Sequence, residues 1–228
     1  MSHQLTARDR QILEFIDRYR IGTPELLKAV CFEPESRIQN VNRVLLRLER
    51  QGLLQRITLD RGFFYVTLTR SGQRFLGQQP RTHRSLTEQT LPVLLAVATY
   101  CVERKRQRLT ADEYRQHFPE LWRPGMRASQ YVLSQAENKL RLELLLVDRG
   151  GSAHRVQSRV RRQIHQRRGL TAFSALMQAG RFQITILVGT GPQQEKIERR
   201  LNRYDWSPVK VVTCVIPELA DLLLLRSR

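Results

Sequence analysis

Apolar residues recur at helical spacing through the first fifty residues of the chain. Ile12, Leu13, Phe15 and Ile16 stripe a helix over 5–19. Thr6 opens it as N-cap, and Asp9 at the third helical position completes a capping-box start with Asp in place of Glu. The run Ile21-Gly22-Thr23-Pro24 ends that helix and begins another over 24–31, with Gly22 as breaker, Thr23 as cap and Pro24 at the first helical position. After a turn at 32–36, a third helix over 36–51 places Ile38, Val41, Leu45 and Leu48 toward a core, and Gly52 stops it. The pattern then becomes strand-like over 53–59 and 63–68. Asp60-Arg61-Gly62 between them supplies a turn, so the two runs read as a β-hairpin. Thr69 caps a short helix behind it. Three helices followed by a hairpin is the order of a winged helix-turn-helix.

Residues 77–85 are polar, contain Gly and Pro, and read as a linker. A broadly apolar helix follows over 86–107, with Pro92 marking either a kink or the true first turn. Thr110 and Glu113 form a capping box for a helix over 110–118, which Pro119 and Trp122-Arg123-Pro124-Gly125 end. Strands are expected over 130–134 and 141–148, joined by the turn 137–139. The continuous apolar run Leu144-Leu145-Leu146-Val147 suits a central strand buried on both faces. Arg149-Gly150-Gly151-Ser152 is a loop and cap. A helix over 153–168 then buries Val156, Val160 and Ile164, and Phe173, Leu176 and Met177 add a further turn or two. A strand over 182–188, a helix over 192–203, a strand over 209–216 and a helix over 217–225 complete the chain. The β-β-α-β-α-β-α order gives an α/β domain with a mixed sheet. The expected organisation is therefore α+β: a winged helix-turn-helix over 1–78, a linker and connecting helix over 79–109, and a mixed-sheet α/β domain over 110–228.

Composition adds a partner class. The 228 residues carry 39 Lys+Arg against 21 Asp+Glu, a net charge of +18, and a 41% hydrophobic content that fits a folded chain. The excess points to a polyanion. It is uneven: residues 1–80 hold 13 basic and 8 acidic side chains (+5), 81–148 hold 11 and 8 (+3), and 149–228 hold 15 and 5 (+10). Cys31, Cys101 and Cys214 lie far apart, which disfavours both a disulfide framework and a zinc module. No apolar run is long enough to cross a bilayer, and MSHQLTARDR has no apolar signal region, so a cytoplasmic address and no membrane partner are expected.

The candidate contacts to double-stranded DNA fall in two places. On the third helix, Arg37, Gln39, Asn40, Arg43 and Arg47 lie mainly off the core face, with Arg50 beyond them. Arg and Asn or Gln are the side chains that read guanine and adenine edges. Arg61 in the hairpin turn is placed to touch the adjacent backbone. On the helix over 153–168, Arg155, Arg159 and Arg162 form one exposed line, and Arg161 and Arg168 another. His3, His83, His117, His154 and His165 have no metal-binding spacing. Gly189-Thr190-Gly191 lies between a strand and a helix but lacks the Lys-Ser/Thr ending of a phosphate loop, and no Ser or Cys nucleophile signature occurs.

LTARDRQILEFIDRYRIGTPELL, NRVLLRLERQGLL and YVTLTRSGQRFL resemble the winged-helix part of the replication-relaxation family, whose members belong mainly to plasmids and other mobile elements. LVDRG at 146–150 is similar to that family's C-terminal part, which resembles the restriction-endonuclease-like fold. That resemblance implies an active site of clustered Asp, Glu and Lys around a divalent metal. Here Asp148 is present, but Leu146 stands where a metal-binding acid is expected and Arg149 where a lysine would follow. The resemblance thus implies a nuclease-like scaffold without metal chemistry and without a cofactor. The expectation is a non-enzymatic DNA-binding accessory protein acting in conjugative transfer, mobilisation or replication. A relaxase or replication protein, and a second copy of the chain, are its candidate protein partners. Two alternatives stay open: a winged-helix transcriptional regulator, and a Mg²⁺-dependent nuclease rearranged around Asp148 and Glu143.

Overall fold

The computed structural model describes residues 5–59, 63–79, 86, 89–123, 131–136 and 139–225. Arg61 and its turn, most of the polar linker, Pro124-Gly125, Gln130, the 137–138 turn, His3 and His83 lie outside the described residues. The chain is mixed α+β and separates into two compact units, Met1–Ala98 and Thr99–Arg228. The division falls inside the apolar helix α5, Leu91–Glu103, so the expected connector is shared between them. Pro92 sits in the first turn of α5, where its missing N–H costs no intrahelical hydrogen bond.

In the first unit, α1 (Ala7–Tyr19), α2 (Pro24–Cys31) and α3 (Ile38–Arg50) precede the antiparallel strands β1 (Leu54–Thr58) and β2 (Phe64–Leu68). The short helix α4 (Arg70–Phe75) closes the run. Thr6 and Asp9 form the expected capping box on α1, and Thr23 caps α2 with Pro24 in its first turn. Gly22 is not the breaker of α1. Arg20 takes the left-handed C-cap position, while Gly22 pairs with Val66 of β2 through two backbone hydrogen bonds of 2.9 and 2.8 Å. Gly22 serves a packing role: a Cβ there would meet Leu27 and Ile16 side-chain atoms at 3.0 and 3.1 Å.

Gly52 does end α3. Its φ of +71° lets the Leu53 N–H reach the Leu48 carbonyl at 3.0 Å and its own N–H reach Glu49 at 2.8 Å, the Schellman pattern. Val41, Leu45 and Leu48 are fully buried, whereas Ile38 at the first position of the helix is only half-buried.

The second unit holds a five-stranded sheet in the order β3-β4-β5-β6-β7: Gln107–Arg108, Tyr131–Ala136, Lys139–Val147, Phe182–Val188 and Lys210–Val215. β4 runs antiparallel to both β3 and β5, while β5, β6 and β7 are mutually parallel. Parallel neighbours need crossovers. These are α7 (Ala153–Arg168) with α8 (Thr171–Gln178), and α9 (Gly191–Leu201). Helices α6 (Ala111–His117) and α10 (Pro217–Leu225) flank the sheet in sequence.

Even-numbered residues of β5 and β6 (Leu142, Leu144, Leu146, Phe182, Ile184, Ile186) face a core with Val156, Val160 and Ile164 of α7 and Ile197 of α9. Leu145 and Val147 are buried on the opposite face, as a central strand requires. The two-residue β3 carries no readable period in the sequence.

Candidate nucleic-acid interface

Helix α3 buries one line and offers the other. At 3.6 residues per turn, Gln39, Arg43, Leu46 and Arg50 fall within an arc of roughly 60° opposite Val41, Leu45 and Leu48. All four are exposed, as are Arg37 and Asn40. No acid stands on this outward ridge; Glu49 lies to its side and pairs with Arg56 of β1 at 3.5 Å. Arg56 also lies over the Phe64 ring, 4.2 Å from its centre, which ties β1 to β2.

Arg47 has a different role from its neighbours. Its Nη2 donates to Asp9 Oδ1, and Asp9 Oδ2 accepts the Thr6 backbone N–H at 2.9 Å. The Asp9 side chain is 1% exposed and that of Arg47 39%. A buried carboxylate requires such partners. Arg47 therefore clamps α3 onto the start of α1, and this contact, between residues 38 apart, had no sequence signal beyond the capping box.

The basic helix α7 contains no acid, and its arginines divide into two groups. Arg155, Arg161, Arg162 and Arg168 are exposed. Arg168 donates to the Ser207 carbonyl at 3.2 Å, near the end of the α9 crossover. Arg159 departs from the expected exposed line. It is half-buried and its Nη1 donates to the Val147 carbonyl at 2.9 Å, at the end of β5. Burial pushes its pKa down, the Arg149 charge adds to this, and the Asp148 charge opposes it. The long side chain reaches back across its own helix to a strand end whose last carbonyl needs a donor.

Arg167 is fully interior. Its Nε and Nη2 donate to the Tyr131 hydroxyl at 2.8 and 2.6 Å, and Nη1 donates to Gln163. Tyr131 in turn stacks on Tyr114 with ring centres 4.7 Å apart. Within α9, Arg200 donates to Gln157 of α7 at 2.8 Å, joining the two crossover helices.

Asp148 and Glu143 do not converge. Asp148 follows β5 and faces α9. Its Oδ1 accepts the Gly151 N–H at 3.1 Å and its Oδ2 accepts Gln193 Nε2. Glu143, five residues earlier and roughly 16 Å away along the strand, points to the opposite face. There its Oε1 accepts the Tyr100 hydroxyl at 2.6 Å, Gln183 Nε2 at 3.0 Å and the Thr185 hydroxyl. Burial, with the Glu143 charge next, raises the Tyr100 pKa, so the phenol stays a donor. Among the described residues, no group of three or more His, Cys, Asp or Glu side chains is placed to hold a metal ion.

At the Gly189-Thr190-Gly191 turn, Thr190 caps α9 by accepting the Gln193 N–H at 3.4 Å. No described helix is long and apolar enough to cross a membrane. Comparison with known protein families, with curated proteins and with solved structures returned no match.

Proposed function

We propose that this is a non-enzymatic double-stranded-DNA-binding protein of a plasmid or other mobile element, serving conjugative transfer, mobilisation or replication. The observation that carries the reading is the outward ridge of α3, where Gln39, Arg43 and Arg50 stand exposed without an acid among them. Arg and Gln suit guanine and adenine edges in a major groove that admits one helix. A winged-helix assignment is supported by the order α1, α2, α3, β1, β2 and by the isolated bridge from Gly22 to Val66, which joins the segment between α1 and α2 to the β1–β2 hairpin. In this reading α3 is the recognition helix and the loop between β1 and β2, with Arg61, is the wing. The exposed arginines of α7 add phosphate contacts or dock a relaxase or replication partner.

The mixed sheet of the second unit is compatible with a restriction-endonuclease-like scaffold. The engagement of both Asp148 oxygens by protein donors supports a structural rather than metal-binding role for that carboxylate. The replication-relaxation resemblance supplies the mobile-element context.

Duplex binding measured against salt tests the core of this proposal. Log affinity is expected to fall linearly with log salt, by about 0.9 per phosphate neutralised. Absence of duplex binding at low salt, or a flat salt response, overturns it. Genomic footprinting should place the protein at a transfer or replication origin; occupancy of promoters would instead make it a transcriptional regulator. Supercoiled plasmid incubated with Mg²⁺ should remain intact. Nicking that disappears in Asp148→Ala would overturn the non-enzymatic assignment.

A further inference from the structure

We infer that Leu46 is a specificity-determining residue that reads the C5-methyl group of thymine, so that the preferred duplex carries a thymine within a guanine-containing site. This inference rests on the duplex-binding reading above.

A single exposed leucine is ordinary on a protein surface. Leu46 is set apart by where it stands. It is 38% exposed in the middle of the outward ridge of α3, three residues after Arg43 and four before Arg50. Those spacings put one arginine a turn away on each side. Leu46 therefore cannot be covered by a purely apolar surface without stranding two guanidinium groups against it. Its complement must combine anionic or acceptor groups with a small apolar knob at their centre.

The major-groove edge of DNA has that composition: guanine presents the O6 and N7 acceptors that match arginine, and thymine presents a methyl group beside them. From Gln39 to Arg50 the ridge spans about 16 Å at 1.5 Å per residue, the length of roughly five base-pair steps at 3.4 Å. The neighbours to either side leave this central position clear. Arg47 is held by Asp9, and Glu49 is turned toward Arg56. An acidic protein with an apolar centre is the competing complement, and the test separates it.

The experiment enriches tight sites from a random duplex pool with the full chain. Each thymine of the selected site is then replaced singly by deoxyuridine, which removes only the methyl group. With the wild-type chain, one or two positions are expected to lose affinity about fourfold, the worth of one buried methyl-sized group. With Leu46→Ala, an exposed helical change that keeps helix propensity, affinity for the thymine site should fall by a similar factor and the deoxyuridine effect should vanish. Equal deoxyuridine effects in both proteins, or none at any position, overturn the inference while leaving duplex binding intact. Sequence-independent binding without enrichment does the same. No duplex binding at all, with Leu46→Ala instead abolishing capture of an acidic protein, overturns both this inference and the proposal beneath it.

Discussion

Helices α3 and α7 are both amphipathic and arginine-bearing, and both bury a line of Val, Leu or Ile. They treat their inward-turned cations differently. In α3 the one clamped arginine, Arg47, meets a buried carboxylate, so the charge of the pair cancels locally. In α7, Arg159 and Arg167 meet a carbonyl, a phenol and an amide, all neutral. The Arg167 guanidinium tolerates this because its planar fork of donors is engaged and because its carbon sits 5.5 Å from the Tyr131 ring centre. The seven arginines of residues 149–168 therefore overstate the basic surface there, since two of them serve the interior. The smaller set on α3 is the better organised one, because its two outward arginines, Arg43 and Arg50, share one ridge with Gln39 and Leu46.

The comparison is tested most severely at Arg167. Arg167→Met should destabilise the chain by about 3 kcal/mol, because it strands the buried Tyr131 hydroxyl and loses several hydrogen bonds. Chemical denaturation measures this; a loss below about 0.5 kcal/mol would mean that the guanidinium is not interior.

Arg47→Ala comes next, at about 2 kcal/mol, less than a fully buried pair because Arg47 is partly exposed. Arg50→Ala on the same helix should change stability by less than about 0.5 kcal/mol. Equal effects of the two would erase the distinction between clamp and ridge.

Arg155→Ala and Arg162→Ala should leave stability within about 0.5 kcal/mol and weaken duplex binding alike for all sequences, with a shallower salt slope. Gln39→Ala and Arg43→Ala should instead blur sequence preference. Titration against matched and scrambled duplexes distinguishes the sets, and identical behaviour would remove the division of labour between the helices.

The smallest effect concerns Cys31, at the end of α2, whose pKa is raised to about 11 by burial, with Arg8 opposing. The folded state favours the neutral thiol. Its contribution to stability should be complete below about pH 9 and erode as pH rises toward 11. Alkylation of this thiol in the native protein should be correspondingly slow at pH 8 and fast after unfolding.

Capping chemistry was the most legible part of the fold. Thr6 with Asp9, Thr23 with Pro24, Thr69, Thr110 with Glu113, and Ser152 all cap the helices their spacing predicts. These signals are local, so a few adjacent residues settle them. Gly22 misled because glycine meets two different needs. It can adopt a left-handed backbone, and it can also let a neighbour approach closely, and here the second need applies. Gly72 shows the same need more sharply: a Cβ there would lie 2.3 Å from the Leu53 carbonyl oxygen. Within the candidate interface, Gln39, Asn40 and Arg43 could be placed on the outside from periodicity alone. Leu46 could have been found the same way, since it lies off the Val41, Leu45, Leu48 line, but an apolar residue among apolar residues is naturally assigned to the core.

The sequence by itself determined the capped helix starts, the apolar lines of α1, α3 and α7, and that cations outnumber acids most strongly after residue 148. Periodicity and caps act over one or two turns, and charge is a sum. Only the tertiary structure decided which arginines remain outside. The reach of that side chain is long enough to cross a helix face, and its destination depends on acceptors brought near by folding: Asp9 for Arg47, the end of β5 for Arg159 and Tyr131 for Arg167. The separation of Asp148 from Glu143 needed no tertiary contact, because five residues along one pleated strand already place two side chains on opposite faces.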